Sequence, residues 1–456
     1  LEPLGRWDEA DRAWTAAAAM AADLGEMGIE ATARAHIGYR QAKLGDDGAL
    51  RSLSDGLRLA RSVDDGSSAT VIAVNLTDAL VDLGRYREAA ELHADGSAMA
   101  ERHGLGATSG IVFEGNVLLA LEPLGRWDEA ETLMNDIGRR LQTDTMRRWA
   151  SAFLGWTQIQ INRGNHSDVV ASYRRGLEMW ETGYYAGDSL PVGTGLIELA
   201  AAGVIDPIET DTVGAWLDDA RPGDSSLGAR LVAVAAQHLI PPSNAADHER
   251  VAETVQSWIE RLRRTVDDYV SVPPVLEAWL DQARMEVSEA SGRLHPERWA
   301  EQVAAWDTIG CPFFAARARY RQADAQLRSG GGRSTAGRAE ATRILANARR
   351  TADVLRARPL RRDIDDLARR ARLRLDAEAE RPPPTPVEPT PFGLTDRELQ
   401  VLRLVNEGQS NGEIGKALFI SVKTASVHVS NILRKLGAAN RIEAAAIARR
   451  HQLLDL

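Results

Sequence analysis

The sequence predicts an all-α protein: an array of helical hairpins, then a proline-rich linker, then a small four-helix domain. Three observations predict it. Helix formers dominate, with alanine and arginine abundant and β-branched runs scarce. Turn glycines recur about every 40 residues through the first third of the chain. A run of prolines near residue 380 is followed by a segment whose helix caps are spaced for short helices.

The array comes first. Residues 1–10, LEPLGRWDEA, recur letter for letter at 121–130. Weaker copies read AKLGDDGAL around Gly45, VDLGRYREA around Gly84 and INRGNHSDV around Gly164. Gly5, Gly45, Gly84, Gly125 and Gly164 are thus 40, 39, 41 and 39 residues apart. One turn glycine per unit at that period predicts stacked helical hairpins. The glycine supplies the backbone freedom that the turn needs. Trp7, Tyr86 and Trp127 each follow their glycine by two residues and are placed to wedge between neighbouring helices. Chance likeness among helical segments does not produce five evenly spaced glycines, and nothing in these motifs is catalytic.

The signature L-G-R-[WY]-x-E-A resembles the middle of a tetratricopeptide repeat. The period here is longer than that family's, so the expected architecture is a tetratricopeptide-like helical-hairpin solenoid. It occupies residues 1–376, regular to about 186 and irregular after. Gly5 has only four residues before it and no Met opens the chain, so the first unit is expected to be incomplete and residue 1 not to be the natural start.

Beyond residue 186 the period weakens. Helices are predicted near 190–202, 208–220, 227–239, 247–265, 275–291, 296–309, 312–329, 337–357 and 360–375, separated by Pro/Gly-rich breaks. Residues 330–335, GGGRST, are not a phosphate loop: the Gly-Lys-Ser/Thr end is missing and no strand precedes them. The arginines of 333–374 are read first as a solvated helix face and second as an auxiliary contact. Residues 377–391, AEAERPPPTPVEPTP, block helix and favour stiff polyproline II, which makes them a linker.

Residues 392–456 form the last domain. Thr395/Glu398, Ser410/Glu413 and Asn440/Glu443 have capping-box spacing, and Leu394 can staple onto Leu399. Ser421 caps alone. Gly408 and Gly437 lie where a left-handed helix end is needed. The predicted helices are 395–407, 411–418, 422–436 and 441–449, with a three-residue turn, Phe419-Ile420-Ser421, between the second and third. That is the length a helix-turn-helix needs. Val422, Ala425, Val429, Ile432 and Leu436 share one face of the third helix and should pack on Leu399, Leu402, Ile414 and Leu418. Lys423, Ser426, Val427, Ser430 and Arg434 form the opposite stripe, short in the middle and cationic at both ends. Short side chains let a helix enter a groove, and Lys and Arg meet phosphates. Val427 can touch a thymine methyl. A solvated helix in a bundle that binds no nucleic acid is the bland alternative, and the caps, turn and stripe together weigh against it.

The segment LTDRELQVLRLVNEGQSNGEIGKALFISVKTASVHVSNILRKLGAANRIEAAAIA is similar to the DNA-binding domain of LuxR-type regulators. The opening L-T-x-R-E-x-x-V-L, then S-N-x-E-I, L-F-I-S, V-H-V-S-N-I-L and R-x-E-A-A carry the resemblance over about the last 65 residues. It implies base-edge contact from Ser426, Val427 and Ser430. It implies phosphate contact from Lys423, Thr424, His428, Arg434 and Lys435. For His428 a ring packed over the helix turn is an equal alternative, and Asn431 bonds either within the domain or to phosphate. Gly412, Gly415 and Ala425 depart from the family pattern, each Gly costing up to ~1 kcal/mol against Ala. The passage WAEQVAAWDTIGCPFFAARARYRQADAQLRSGG resembles late repeats of the large ATP-binding (LAL) subfamily. In those proteins a nucleotide-binding module precedes the repeats; none is seen in this sequence, and no ATPase activity is assigned.

Charge agrees with this division. The chain carries a formal charge of −10, but residues 392–456 are net +3 and the rest −13. A basic tip is drawn to DNA while an acidic body is repelled. Cys311 is the only cysteine, which excludes disulfide frameworks and Cys-based zinc sites. No run of eighteen apolar residues or signal peptide is seen, so a cytoplasmic bacterial protein is expected. The leading expectation is a sequence-specific regulator, with double-stranded promoter DNA and a homodimer on it as partners and a protein or small-molecule effector on the array. The alternative is a repeat scaffold with a non-essential DNA-binding domain. His238, Asp247 and His248 are close in sequence, but nothing organises them as a metal or nucleophile site. No catalytic residue, cofactor or metal is expected.

Overall fold

The computed structural model describes residues 7–140, 150–166, 169–170, 189–218, 224–241, 247–375, 396–417 and most of 426–451. The expectation for Leu1–Leu4, the Trp7 side chain and the whole proline-rich segment lie outside them. The described residues are all-α, and the chain divides into two compact units, Leu1–Glu378 and Ala379–Leu456. No helix among them is long and apolar enough to cross a membrane.

Among its described residues the first unit begins with α1 (Trp7–Leu24), α2 (Met27–Lys43), α3 (Asp47–Ser62), α4 (Gly66–Asp82), α5 (Tyr86–Glu91), α6 (His93–Arg102), α7 (Ser109–Leu121), α8 (Trp127–Arg140) and α9 (Ala150–Arg163). Among the described residues there follow α10 (Ser189–Ala201), α11 (Thr210–Asp218), α12 (Ser225–His238), α13 (His248–Thr265), α14 (Pro274–Ala290), α15 (Pro296–Ile309), α16 (Pro312–Arg328), α17 (Thr335–Leu355) and α18 (Arg358–Arg370). An inner row runs α2, α4, α7, α9, α10, α12, α14, each packed on the next. The row curls: α12 also touches α4, and α18 touches α9. Side chains such as Leu53, Ile72, Phe113, Leu118 and Trp127 are almost fully covered between the hairpins.

The turns explain the repeat. Gly45, Gly84, Gly125 and Gly164 all have positive φ, 68–81°, as their spacing predicts. The same left-handed closure falls halfway between the turns, at Gly25, Asp64 and Gly104, and Gly203 continues the 39-residue step after Gly164. From Gly25 to Gly125 the closures are therefore about 20 residues apart. The two sets differ in surroundings. A Cβ on Gly45 would lie 2.0 Å from the Ser271 carbonyl oxygen, and one on Gly84 2.8 Å from the Val275 Cβ. On Gly125 it would meet Pro312 at 2.9 Å, and on Gly164 Pro359 at 3.1 Å. Beside Gly45, the Val270 N–H donates to the Leu44 carbonyl at 2.9 Å. At Gly25, Gly104 and Gly203 an added Cβ meets no described atom within 4 Å. The first set carries the crossing of the later helices, three of which start with Pro near their first turn.

Tyr86 and Trp127 are buried, as their position after the turn suggests. Trp127 does more than wedge its own hairpin: its ring lies 5.2 Å from that of Phe313 on α16. Its indole N–H donates to the Glu122 carbonyl at 2.9 Å.

The inside of the curl is charged. Lys43 on α2 reaches Asp78 and Asp82 on α4 and, at 3.0 Å, Asp224 at the start of α12. Arg230 on α12 donates to both oxygens of Glu122, at 2.9 and 3.1 Å. Arg317 on α16 donates to Glu198 on α10 at 3.1 Å. Arg321, one turn later, meets Glu286 and Glu289 on α14. Buried pairs of this kind repay their desolvation only with good geometry and further hydrogen bonds. Asn162 supplies one to Glu122 at 3.0 Å, and Gln158 one to Glu198.

Three carboxylates surround the one ammonium of Lys43, which leaves a carboxyl to hold a proton. Burial raises the Asp82 pKa, Lys43 opposes it, and the net shift is upward. Burial lowers Lys43, but Asp224, Asp78 and Asp82 outweigh it, so the ammonium persists. A raised acid pKa in the folded state gives stability that is full below the ordinary carboxylate range and is lost as pH climbs.

Two outcomes are expected. Gly104→Ala costs about 1–2 kcal/mol for left-handed strain alone, while Gly84→Ala adds a clash worth about 1–3 kcal/mol more; thermal unfolding of the two variants ranks them. In urea unfolding, Asp82→Asn gains stability relative to wild type between pH 5 and pH 8, because over that range folded wild type must hold on Asp82 a proton that its unfolded chain has released.

Candidate nucleic-acid interface

The second unit is built around its own small core. Val401, Leu402 and Val405 of α19 (Asp396–Asn406), Ile414 of α20 (Asn411–Ala417), Ile432, Leu436, and Ala444 and Ala448 of α21 (Arg441–Arg450) are buried together. The expected ends agree with these helices to within a residue or so. Between α20 and α21, Ser426, Val429, Ile432, Leu433, Lys435 and Leu436 are helical. Their alternation fits the predicted faces. Ile432 and Leu436 are buried, Val429 and Leu433 are partly buried against the core, and Ser426 is exposed. Leu402 and Ile414 are buried, as expected of the residues that receive that face.

The caps hold the helices in place. Ser410 forms a full capping box: its backbone N–H donates to Glu413 Oε2 at 2.7 Å, and its hydroxyl oxygen accepts from the Glu413 N–H at 3.4 Å. Asn440 Oδ1 accepts the Glu443 N–H at 3.0 Å. Gly408 and Gly437 have φ of 84° and 66°, the left-handed ends that their positions predict. Arg441 was not singled out by its spacing. Its guanidinium donates to the Gln409 carbonyl, tying the start of α21 to the residue before the capping box. A basic residue directly after an Asn cap is the only sequence signal for it.

Of the residues assigned to DNA contact, Ser426 is exposed and Lys435 partly buried. Lys423, Thr424, Val427, His428, Ser430, Asn431 and Arg434 lie outside the described residues, as do Val422, Ala425, Leu418, Ser421, Thr395, Leu394 and the side chain of Leu399.

Residues 393–448 match the bacterial regulatory proteins of the luxR family. Over 62 residues the chain is 48% identical to the transcriptional regulatory protein LiaR of Bacillus subtilis, covering 14% of this chain and 29% of that one. It is 43% identical over 72 residues to the transcriptional activator protein BjaR1 of Bradyrhizobium diazoefficiens, covering 15% and 30%. It is 46% identical over 62 residues to the response regulator protein VraR of Staphylococcus aureus, covering 14% and 30%. The chain thus spans less than a third of the length of these relatives. The luxR-type segment coincides with the small core and its caps, so the likeness and the local packing describe the same stretch.

In the first unit, His238 does not join Asp247 and His248 in one site. His238 ends α12 beside Arg317, whereas His248 begins α13 and its Nδ1 lies 2.8 Å from the Pro241 carbonyl oxygen. Among the described residues no three His, Cys, Asp or Glu side chains are grouped to hold a metal ion. Cys311 is buried, and burial pushes its thiol pKa far up, away from the reactive thiolate form.

The capping box is testable in the whole chain. Ser410→Ala is expected to cost about 1 kcal/mol, read as roughly fivefold faster hydrogen exchange of the α20 amides.

Proposed function

We propose that this chain is a sequence-specific transcriptional regulator. The luxR-type segment binds promoter DNA with the helix 422–436 in the major groove, and the helical array holds a partner or effector. One observation carries the reading: the stretch matching the luxR family has a capped second helix, and after it a helix whose Ile432 and Leu436 are buried while Ser426 faces outward. That leaves a short polar flank available to a groove about 12 Å wide. LiaR, BjaR1 and VraR, to which the segment is similar, are named as transcriptional or response regulators.

In this reading Ser426, Val427 and Ser430 meet base edges. Lys423, Thr424, His428, Arg434 and Lys435 meet phosphates, and Asn431 bonds phosphate or its own domain. A single reader of this size buries little surface, so binding as a homodimer to paired half-sites is part of the proposal. The array is tetratricopeptide-like and akin to the repeats of the large ATP-binding subfamily. Its closely crossed turns and charged interior suit a body that responds to an occupant. No catalytic step is assigned to it, and the protein works in the cytoplasm.

Fluorescence anisotropy of the whole chain on promoter fragments tests this. Lys423→Ala and Arg434→Ala should weaken binding to every sequence and flatten the salt dependence by about one counterion each. Ser426→Ala and Ser430→Ala should change which sequences are preferred. Equal behaviour of the two classes would show that the helix is not docked this way, and no binding at low salt would favour a scaffold.

A further inference from the structure

Inside the curl the charged seam opens into a cleft of about 340 Å³, walled by residues from α9, α10, α12, α14, α15, α16 and α18. That is within the range of small-ligand pockets, which begin near ~300 Å³. Two kinds of polar group line it, and they differ in whether they are already matched.

The ionic groups are matched. Arg317 donates to Glu198 at 3.1 Å and to Gln237 at 2.7 Å, and its guanidinium lies over the Phe313 ring. Arg321 donates to Glu289 at 3.0 Å and to Glu286, and lies over the Trp299 ring. Both aromatic faces are thus covered by cations, and both cations are held by carboxylates. Arg362 and Asp363 also line the cleft but are largely exposed and 3.9 Å apart; beside the buried Arg317 and Arg321 a charged ligand finds no unpaired counter-charge, and stripping its water would go uncompensated.

The neutral groups are not matched. Gln282 is only 7% exposed, yet its amide has no hydrogen-bond partner among the described residues. Tyr320, His166 and His238 also line the cleft without a hydrogen-bond partner among the described residues. Burial, and then the Arg317 guanidinium, push the His238 pKa down to about 4, so its ring offers one donor and one acceptor at neutral pH.

We propose that this cleft binds an uncharged small molecule rich in hydroxyl or amide groups, held by Gln282, His238 and Tyr320. The proposal rests on the reading of the array as the part that holds an effector, and names the chemistry of that effector. Occupancy would bridge α12, α14 and α16, helices that also carry the buried ion pairs. Ligand and curl are thereby coupled.

The test is saturation-transfer NMR on the whole chain without DNA. The probes are uridine and N-acetylglucosamine, each at about 10 mM so that millimolar affinity registers. Their charged counterparts are uridine monophosphate and glucosamine. Transfer to at least one uncharged probe is expected, with its counterpart at least fivefold weaker. Gln282→Leu, which keeps the side chain's bulk, and Tyr320→Phe, which removes a single hydroxyl, should each reduce the signal at least fivefold. Circular dichroism checks that both variants fold, and His238→Phe on a different helix stands in if one does not. No transfer to either uncharged probe, equal transfer to the charged ones, or signals unchanged in the variants would overturn the proposal. DNA binding by the same samples keeps the two readings apart. Probe binding without DNA binding sinks the regulator and leaves the cleft; DNA binding without probe binding does the reverse.

Discussion

The close approach at Gly45, Gly84, Gly125 and Gly164 sets the shape of the first unit. The later helices cross the first array at these turns, near enough that a single methyl group would meet a carbonyl oxygen or a neighbouring side chain. At Gly45 backbone lies against backbone, as in the Val270 to Leu44 hydrogen bond, and at the other three turns a side chain takes that place. Glycine meets both demands at once, since it tolerates the left-handed turn and presents no Cβ. The curl of the inner row follows from that proximity, and the enclosed polar seam follows from the curl.

The seam is an unusual way to line the middle of a helical array. Hydrophobic packing would hold the layers with less desolvation cost, and buried pairs are weak evidence for stability. What they do is specify partners. Lys43 needs Asp224, Arg230 needs Glu122 and Arg317 needs Glu198, each between helices far apart in the chain. A slip of the crossing by one hairpin would leave Asp224, Arg230 and Arg317 without the partners they have here. The pairs therefore choose the register, and apolar contacts such as Trp127 against Phe313 supply much of the adhesion.

Much of this was legible in the sequence, for identifiable reasons. The glycines at a period near 40 are conspicuous because two constraints act on them, conformation and crowding. Their alternates at half the period went unnoticed because only conformation acts there, and Asp64 satisfies it at φ 55°. Caps are short-range chemistry, so Ser410/Glu413 and Asn440/Glu443 can be read from spacing alone. The small core was read in part: Ile414, Ile432 and Leu436 follow helical periodicity, while Val401, Val405 and Ala448 are chosen by how helices meet. The ion pairs and the cleft were invisible, since they join residues such as Lys43 and Asp224 that no local pattern relates. Arg317 and Arg321, which no sequence pattern singles out, turn inward because their partners lie on other helices.

The two edges of the array have different futures. Along the edge carrying Gly25 and Gly104, nothing described crowds those turns, so extra residues can bulge outward there. Along the other edge any lengthening pushes the crossing helices off their seats. Kindred chains that diverge in length should grow on one flank and stay frozen on the other.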